Sequence, residues 1–451
     1  GLLTVANVDT GVYTLTVGGT SNTVVTGAIS GVGALTKTGA GKLTLTGAST
    51  YSGLTTISGG SLQIGDGGTT GKLRNSNASS GGIVNNGMLV FNRSDTIVQG
   101  IDFPKYLTGS GGILKLGTGT VELNGKFTQE TDAGGTYRTI LGDVSVAAGT
   151  LQYDQRNEAF FSFDALEYPS QSGRVAGSLN IASGATFKVI GSGLPTWLTL
   201  KGAVSGAGRI EVGNNAQVQV SGDASAFTGG FSLSSSGNYA ELELLPNSSS
   251  GSPQASIFNA PVLLNDTASE LRLSPIGADI TMAGTISGVG NVSTHWASTG
   301  VVWLTGSNSY TGSTSIWGGT LEASSAALAS TGRIELFGGS LKAVNFNPSA
   351  SLGVQNDAVA TVSGSGLSLG EISNASTASI GLSFTAGSGT ITLSSLIGNG
   401  VTAFGSHASI TGWVEQGTLN VTGLLTANIR NGETVVGWSE EDDGPPILEF
   451  S

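Results

Sequence analysis

Residues 27–65 read GAISGVGALTKTGAGKLTLTGASTYSGLTTISGGSLQIG. Apolar residues alternate with Thr and Ser in this stretch, first at Leu43 and Leu45 and later at Leu62 and Ile64. Glycine pairs and Gly-Ala steps interrupt the alternation every few residues. Alternation with a period of two between turn residues is typical of short strands that bury one face. The stretch therefore predicts a series of half-buried β-strands joined by tight turns.

The same pattern recurs later in the chain. Residues 284–323 read GTISGVGNVSTHWASTGVVWLTGSNSYTGSTSIWGGTLEA and share Gly-x-Ile-Ser-Gly-Val-Gly, Thr-Gly-x-x-x-Tyr-x-Gly and Gly-Gly-x-Leu with the first copy. Residues 202–233 form a more divergent third copy. A unit that repeats in this way usually cannot bury its apolar face alone and must stack on its neighbours. We therefore expect an all-β fold, a single elongated β-solenoid.

Residues 36–65 resemble the autotransporter-associated β-strand repeat, which occurs in passenger regions of Gram-negative autotransporters and in other large secreted surface proteins. The resemblance is close at 31–65, good at 284–323 and weak elsewhere. It implies a right-handed β-solenoid that is secreted or displayed on the surface of a Gram-negative bacterium. It transfers no catalytic residue, because such passengers include adhesins, self-associating proteins and scaffolds. The sequence lacks the membrane β-barrel that ends autotransporters, so we expect an isolated passenger, a processed product or a protein of another system that uses the same repeat.

Composition restricts the classes of partner. Lys and Arg number 18 and Asp and Glu number 30, which gives a net charge of −12. Nucleic-acid binding requires clustered Lys and Arg, so this balance argues against it. Glycine accounts for 73 of the 451 residues, whereas only 11% are charged, a composition that suits stacked strands with neutral polar outer faces. The sequence contains no apolar run long enough for a transmembrane helix.

Two segments depart from the repeat pattern. Residues 153–173 concentrate aromatic and charged side chains, and we expect an insertion that projects from the solenoid and covers it or a partner. Residues 1–443 would then form the solenoid, and residues 444–451 a C-terminal extension. Ile447, Leu448 and Phe450 could add as a short strand to the open end of a neighbouring subunit. The alternative is that this tail caps its own last coil.

Catalytic and metal-binding patterns are scarce. The chain has two histidines, His295 and His407, and no cysteine, which excludes a His/Cys metal site and leaves little for a Ser-His-Asp triad. Calcium bound by carboxylates remains an alternative, but Asp66 in IGDGGTTG fits neither an EF-hand loop nor the Gly-Gly-x-Gly-x-Asp repeat. We expect no catalytic residue, no metal and no cofactor. Asp154 and its acidic neighbours in the insertion support an alternative, a polysaccharide lyase or hydrolase on a β-helix.

Aromatic residues provide the candidate contact sites. Trp303 and Trp317 are expected at strand positions in the second repeat where the first has Thr44 and Ser58, and exposed aromatics can form adhesive or sugar-stacking platforms. The complete set of candidate interface residues is Tyr153, Phe160, Phe161, Phe163, Tyr168, Trp303, Trp317, Ile447, Leu448 and Phe450.

The sequence thus predicts a non-enzymatic extracellular protein with a structural or adhesive role that self-associates into a surface fibre or matrix. Its partners would be copies of itself, joined end to end, or else surface glycans or matrix. We expect no nucleic-acid partner. The alternative within the binding class is a monomeric passenger adhesin that binds a host or matrix ligand.

Overall fold

The computed structural model describes residues 1–73, 82–125, 127–132, 135–154, 173–192, 195–248, 252–324, 326–344, 350–364, 367–386, 390–421, 424–429, 435–437 and 448–449. All regular structure in these residues is β, with no helix, and the strands stack as a parallel β-solenoid. The predicted fold class is therefore confirmed. The chain divides into two compact units, Gly1–Ala240 and Glu241–Ser451.

The described residues of the first unit form twenty-nine short strands, most of them two to five residues long. They are β1 (Leu3–Val5), β2 (Val8–Asp9), β3 (Leu15–Val17), β4 (Thr23–Val25), β5 (Ile29–Ser30), β6 (Leu35–Lys37), β7 (Lys42–Leu45), β8 (Ala48–Ser49), β9 (Thr55–Ile57), β10 (Ser61–Ile64), β11 (Lys72–Leu73), β12 (Ile83–Asn85), β13 (Met88–Phe91), β14 (Ile97–Val98), β15 (Leu107–Thr108), β16 (Gly112–Lys115), β17 (Thr120–Leu123), β18 (Thr128–Asp132), β19 (Gly135–Ile140), β20 (Val144–Val146), β21 (Thr150–Asp154), β22 (Gly173–Val175), β23 (Leu179–Ile181), β24 (Thr186–Ile190), β25 (Thr196–Leu200), β26 (Val204–Ser205), β27 (Arg209–Val212), β28 (Ala216–Val220) and β29 (Gly230–Leu233).

The remaining strands begin at the boundary between the units. They are β30 (Ala240–Leu244), β31 (Ser256–Phe258), β32 (Val262–Leu264), β33 (Ser269–Leu273), β34 (Ile280–Met282), β35 (Ile286–Gly288), β36 (Asn291–Thr294), β37 (Val301–Leu304), β38 (Ser313–Ile316), β39 (Thr320–Ala323), β40 (Arg333–Leu336), β41 (Ser340–Val344), β42 (Ser351–Val354), β43 (Val359–Gly364), β44 (Ser368–Asn374), β45 (Leu382–Ala386), β46 (Ile391–Phe404), β47 (Ala408–Val421), β48 (Leu425–Ile429), β49 (Val435–Gly437) and β50 (Leu448–Glu449).

Parallel ladders run through the coils of each unit. In the first unit one sheet joins β1, β4, β7, β10, β13, β16, β20, β23 and β26, so successive coils place one strand each in the same sheet. In the second unit one ladder joins β36, β38, β40, β42 and β44, and another joins β37, β39, β41, β43 and β45. One antiparallel hairpin, β18 with β19, interrupts the parallel pairing of the first unit.

The core is a stack of like residues. Leu43 lies in register with Leu62 and Leu45 with Ile64, and all four are at most 1% exposed. The inward positions predicted from the alternation in residues 27–65 are therefore confirmed. Apolar burial of this kind contributes roughly 25 cal/mol per Å², which makes the stacked column a main source of stability.

The turn x-Gly-Gly-[Ser/Thr]-Leu closes coils in both units. It occurs at residues 58–62, 317–321 and 337–341, and the second glycine has a φ of +61°, +69° and +67° in the three copies. A Cβ on Gly60 would lie 2.5 Å from the carbonyl oxygens of Gly39 and Gly41 in the preceding coil. Both the backbone conformation and the close stacking therefore require glycine at this position.

Two lysines of the first unit are buried beside turn carbonyls. Lys37 Nζ donates to the carbonyl oxygens of Gly39 at 2.9 Å and Gly59 at 3.3 Å. Lys115 Nζ donates to the carbonyl oxygens of Gly117 and Ala148, and burial lowers the pKa of Lys115 to about 8. These ammonium groups satisfy backbone acceptors in the turns, where alternation alone predicts apolar residues.

Candidate functional site

The described residues of the second unit include an exposed aromatic ridge. We define it as His295, Trp296, Trp317 and Phe337. Trp296 is 75% exposed and Trp317 48% exposed. The rings of Trp317 and Phe337 stack with centroids 4.1 Å apart and planes 16° apart, and the ring centroid of Trp296 lies 5.4 Å from that of His295. The ridge follows the turns that come directly after β36, β38 and β40.

The turn itself does not require aromatic residues. Trp317 and Phe337 occupy the first position of the x-Gly-Gly turn, and the same position in the first unit holds Ser58, which is exposed. Since Ser58 closes the same turn, the fold alone does not account for indole and phenyl rings at 317 and 337. Trp317 lies one residue beyond β38, so the expectation that it occupies a strand position is wrong.

Trp303 lies on a different surface, the outward face of the ladder that contains β37. Its indole Nε1–H donates to Glu322 Oε2 at 3.1 Å, and Lys342 Nζ donates to Glu322 Oε1 at 2.8 Å. The hydrogen bond from Lys342 is the largest of the causes that lower the pKa of Glu322. The three side chains thus form one connected group, with the carboxylate charged between two donors.

This group lies in a shallow groove across successive coils. Trp303 is in register with Glu322, Glu322 with Lys342, and Lys342 with Thr361, so four consecutive strands contribute one outward side chain each. The groove has a volume of about 380 Å³, and its other walls include Thr305, Ser324, Val344 and Ser363. It therefore combines an aromatic ring, a carboxylate, an ammonium group and several hydroxyls.

Carboxylates do meet across coils of the second unit, as a β-helical polysaccharide hydrolase would need. Arg272 lies between Glu241 and Glu270, at N–O distances of 2.8 Å and 3.3 Å, and Glu241 and Glu270 together raise the pKa of Arg272 against the effect of its burial. Glu243 is 2% exposed and accepts a hydrogen bond from Ser274 Oγ at 2.7 Å. These acids are engaged in ion pairs and hydrogen bonds, an arrangement that maintains structure rather than one poised for proton transfer.

The two histidines are also engaged. His295 Nδ1 accepts the backbone N–H of Ala297 at 3.1 Å, and His407 Nδ1 accepts that of Leu424 at 2.8 Å. Burial lowers the pKa of the His295 imidazole below its ordinary value. Across the described ranges, no three acidic or histidine side chains are close enough together to hold a metal ion. In the same part of the chain, no helix has the length and apolarity needed to span a bilayer.

The other predicted interface residues are placed as follows. Tyr153 is 2% exposed and stacks on Phe127 with ring centroids 5.9 Å apart, so its ring belongs to the core of the coils. Four members of the predicted insertion and two of the tail fall outside the described residues: Phe160, Phe161, Phe163, Tyr168, Ile447 and Phe450. Leu448 begins β50, which pairs in parallel with Leu425–Thr426 of the same chain.

Sequence reasoning missed several residues of both surfaces. Trp296, Phe337, Glu322 and Lys342 were not singled out, although the motif Phe-Gly-Gly-Ser-Leu at 337–341 repeats Trp-Gly-Gly-Thr-Leu at 317–321. Aligning this turn across coils would have identified Phe337. The Glu322–Lys342 pair has no such signal, because its partners are 20 residues apart and meet only when the register between coils is known.

Comparison with known proteins agrees with this architecture. Residues 35–64 and 298–323 match the model of a family described as the passenger-associated-transport-repeat. A stretch of 106 residues is 45% identical to the adhesin BmaC autotransporter of Brucella suis biovar 1 (strain 1330), and it covers 24% of this chain and 3% of that protein. No solved structure matches. The chain therefore contains two passenger-associated-transport repeats and resembles autotransporter passenger proteins, a likeness that supports secretion to, or display on, the surface of a Gram-negative bacterium.

Proposed function

We propose that this chain is a non-enzymatic, adhesive passenger that contacts another surface through the aromatic ridge. The observation that carries the proposal is the exposure of Trp296 and Trp317 on adjacent turns of the second unit, at 75% and 48%. Trp is enriched at the centres of protein interfaces, where it contributes much of the binding energy. Clustered exposed aromatics therefore favour a contact surface over a purely structural role.

The ridge is also organised before binding. Trp317 and Phe337 hold one another in a parallel stack, so little side-chain freedom is lost when a partner covers them. With only 11% charged residues in the chain, the contact depends on aromatic packing and neutral hydrogen bonds more than on ion pairs. Such a contact is less sensitive to salt than an ionic one.

The absence of catalysis is part of the same proposal. The facing acids Glu241 and Glu270 share Arg272, and each histidine has one ring nitrogen committed to a backbone N–H. The relative found by comparison is an adhesin by name, which supports adhesion over polysaccharide cleavage. We therefore expect no lyase or hydrolase turnover of neutral or acidic polysaccharides.

Self-association into a surface fibre or matrix is the second candidate function. The ridge favours it too, because an exposed aromatic stack can pack against the same ridge of a second copy, as symmetric contacts do. In this case the partner would be another chain, and the concentration dependence of the assembly state would reveal it.

Adhesion of coated beads tests the proposal. Beads carrying the purified chain are expected to adhere to epithelial monolayers and to a basement-membrane matrix more strongly than albumin-coated beads. The double substitution Trp296→Ser and Trp317→Ser should abolish most of the difference. The matched control is Tyr13→Ser, which removes an aromatic ring that is 78% exposed in the first unit and should leave adhesion unchanged.

Two outcomes would contradict the proposal. The ridge would have no adhesive role if the double variant, with an unchanged circular dichroism spectrum, adhered as well as the parent chain. Equal loss with the Tyr13 control would show a nonspecific effect of removing surface aromatics.

A further inference from the structure

We propose that the groove around Trp303, Glu322 and Lys342 binds a short segment of a neutral, hydroxyl-rich glycan. The groove lies on the outward faces of β37, β39, β41 and β43, whereas the aromatic ridge follows the turns of the second unit. The inference goes beyond the proposed function, since it assigns a ligand class to a separate surface.

Glu322 and Lys342 place an acceptor directly beside a donor. Each carboxylate oxygen of Glu322 receives one hydrogen bond, from the Trp303 indole and from the Lys342 ammonium, and each can accept a second. The side chain of Lys342 is 61% exposed, so its ammonium can donate to a ligand as well. Sugar hydroxyls both donate and accept, and an adjacent donor and acceptor complement a pair of neighbouring hydroxyls.

The charges of the groove favour a neutral ligand. Glu322 and Lys342 cancel one another, and the remaining polar groups of the lining, such as Thr361 and Ser363, are uncharged hydroxyls. The chain carries a net charge of −12, which disfavours the approach of a polyanion. An acidic glycan would need unpaired cations, and Lys342, the single cation of the groove lining, is already shared with Glu322.

Apolar contacts complete the match to a sugar. Trp303 is half-buried and Val344 is 47% exposed, so both present apolar surface within the groove. Pyranose rings have apolar C–H faces that pack on such surfaces while their hydroxyls reach the polar groups alongside. Aromatic and aliphatic walls around a few polar groups are typical of small-ligand sites.

The register indicates a chain of sugars rather than one. Trp303 and Thr361 are separated by three strand spacings of about 4.8 Å each, which puts roughly 14 Å between the two ends of the polar column. A linear oligosaccharide laid along the stacked coils would contact Trp303 at one end and Thr361 at the other.

A peptide strand fits this groove less well. Addition of a peptide to a sheet requires a strand with an unpaired edge. Here β39 pairs with β37 on one side and β41 on the other, and β41 pairs in turn with β43. The groove offers side chains on a sheet face, and side-chain hydroxyl and carboxylate groups match a glycan better than a peptide backbone.

Isothermal titration calorimetry with the full chain tests the inference. The probes are the neutral oligosaccharides cellohexaose, maltohexaose and N-acetylchitohexaose, and the acidic hexagalacturonate. We expect at least one neutral probe to bind and the acidic probe to bind more weakly. Trp303→Ala and Lys342→Met should each weaken binding about tenfold, the equivalent of roughly 1.4 kcal/mol. Trp413→Ala, which removes a half-exposed tryptophan of the same unit outside the groove lining, should bind as the parent does.

The inference is overturned if no neutral probe binds at millimolar concentration, if hexagalacturonate binds best, or if Trp303→Ala binds unchanged. Glu322→Gln keeps the shape of the side chain and removes its charge, so it provides a second readout should Trp303→Ala unfold; unchanged binding there also overturns the inference. Bead adhesion that depends on the ridge could survive any of these results, which separates failure of this inference from failure of the proposed function.

Discussion

At the scale of single residues, Tyr51 and Tyr310 occupy the same position in two repeats, where both are buried and hydrogen-bonded. Tyr51 and Tyr310 are each 1% exposed, and their hydroxyls lie 2.7 Å and 2.6 Å from Thr55 Oγ1 and Thr314 Oγ1. Thr314 Oγ1 also lies 3.3 Å from Thr331 Oγ1. Removal of one partner from a buried pair costs about 1–3 kcal/mol, because the other loses its hydrogen bond.

We therefore expect Tyr51→Phe to lower the free energy of unfolding by about 1 kcal/mol or more, and Tyr310→Phe by less. The difference arises because Thr314 and Thr331, which both lose the Tyr310 hydroxyl, keep their contact with each other. Urea unfolding followed by circular dichroism measures both values. Equal losses would show that the Thr331 hydroxyl does not compensate.

The same burial predicts a pH dependence. Burial raises the pKa of Tyr310 to about 12 from the ordinary value of 10.0, and it also raises the pKa of Tyr51. Between about pH 10 and pH 12 the folded chain keeps the Tyr310 hydroxyl proton that the unfolded chain has lost. The stabilisation is therefore complete below about pH 10 and decreases as pH rises towards 12. Urea unfolding across this range should show a falling free energy, and Tyr310→Phe should fall less steeply. A parallel slope in Tyr310→Phe would contradict this assignment.

At the scale of the element, a glycine outside the x-Gly-Gly turn and one inside it separate the cost of backbone conformation from the cost of packing. Gly11 has a φ of +56° with no atom within 4 Å of a Cβ placed there, whereas Gly60 has a φ of +61° and a Cβ would lie 2.5 Å from two carbonyl oxygens. Gly11→Ala should cost about 1–2 kcal/mol from the left-handed backbone alone. Gly60→Ala should cost about 1–3 kcal/mol more, from overpacking against the preceding coil.

Thermal and urea unfolding of the two variants measure this difference. If Gly60→Ala is no less stable than Gly11→Ala, the coils can separate at the turn without cost, and the close stacking is not a constraint.

The sequence predicted the β-strands well but predicted little of the groove around Trp303, Glu322 and Lys342. Period-two alternation and repeated Gly-Gly turns identify the strands around Leu43 and Leu62, because local spacing alone determines which side chains face inward. The groove depends on the register between strands of successive coils. A pair such as Glu322 and Lys342 cannot be identified until that register is known. Buried Lys37 shows a second limit, because its carbonyl partners come from turns that alternation does not describe.

At the scale of the whole molecule, the ridge and the tail are the two candidate sites for an association between copies of the chain. In the structure Leu448–Glu449 pairs with Leu425–Thr426 of the same chain, the capping arrangement that the sequence left as an alternative. The backbone groups that make this pairing are not available to a neighbour. Docking of the tail on another subunit therefore stays a prediction that would require β50 to leave β48.

We propose the ridge rather than the tail as the site of association, since Trp296 and Trp317 are exposed without any rearrangement. We therefore expect sedimentation velocity to show association that increases with concentration and that persists in a chain ending at Asp443. The double substitution Trp296→Ser and Trp317→Ser should keep the protein monomeric, while Tyr13→Ser should associate as the parent does. Loss of association on removal of residues 444–451, with the ridge intact, would instead assign assembly to the tail. A parent chain that stays monomeric at every concentration would exclude self-association and leave adhesion to other surfaces as the role of the ridge.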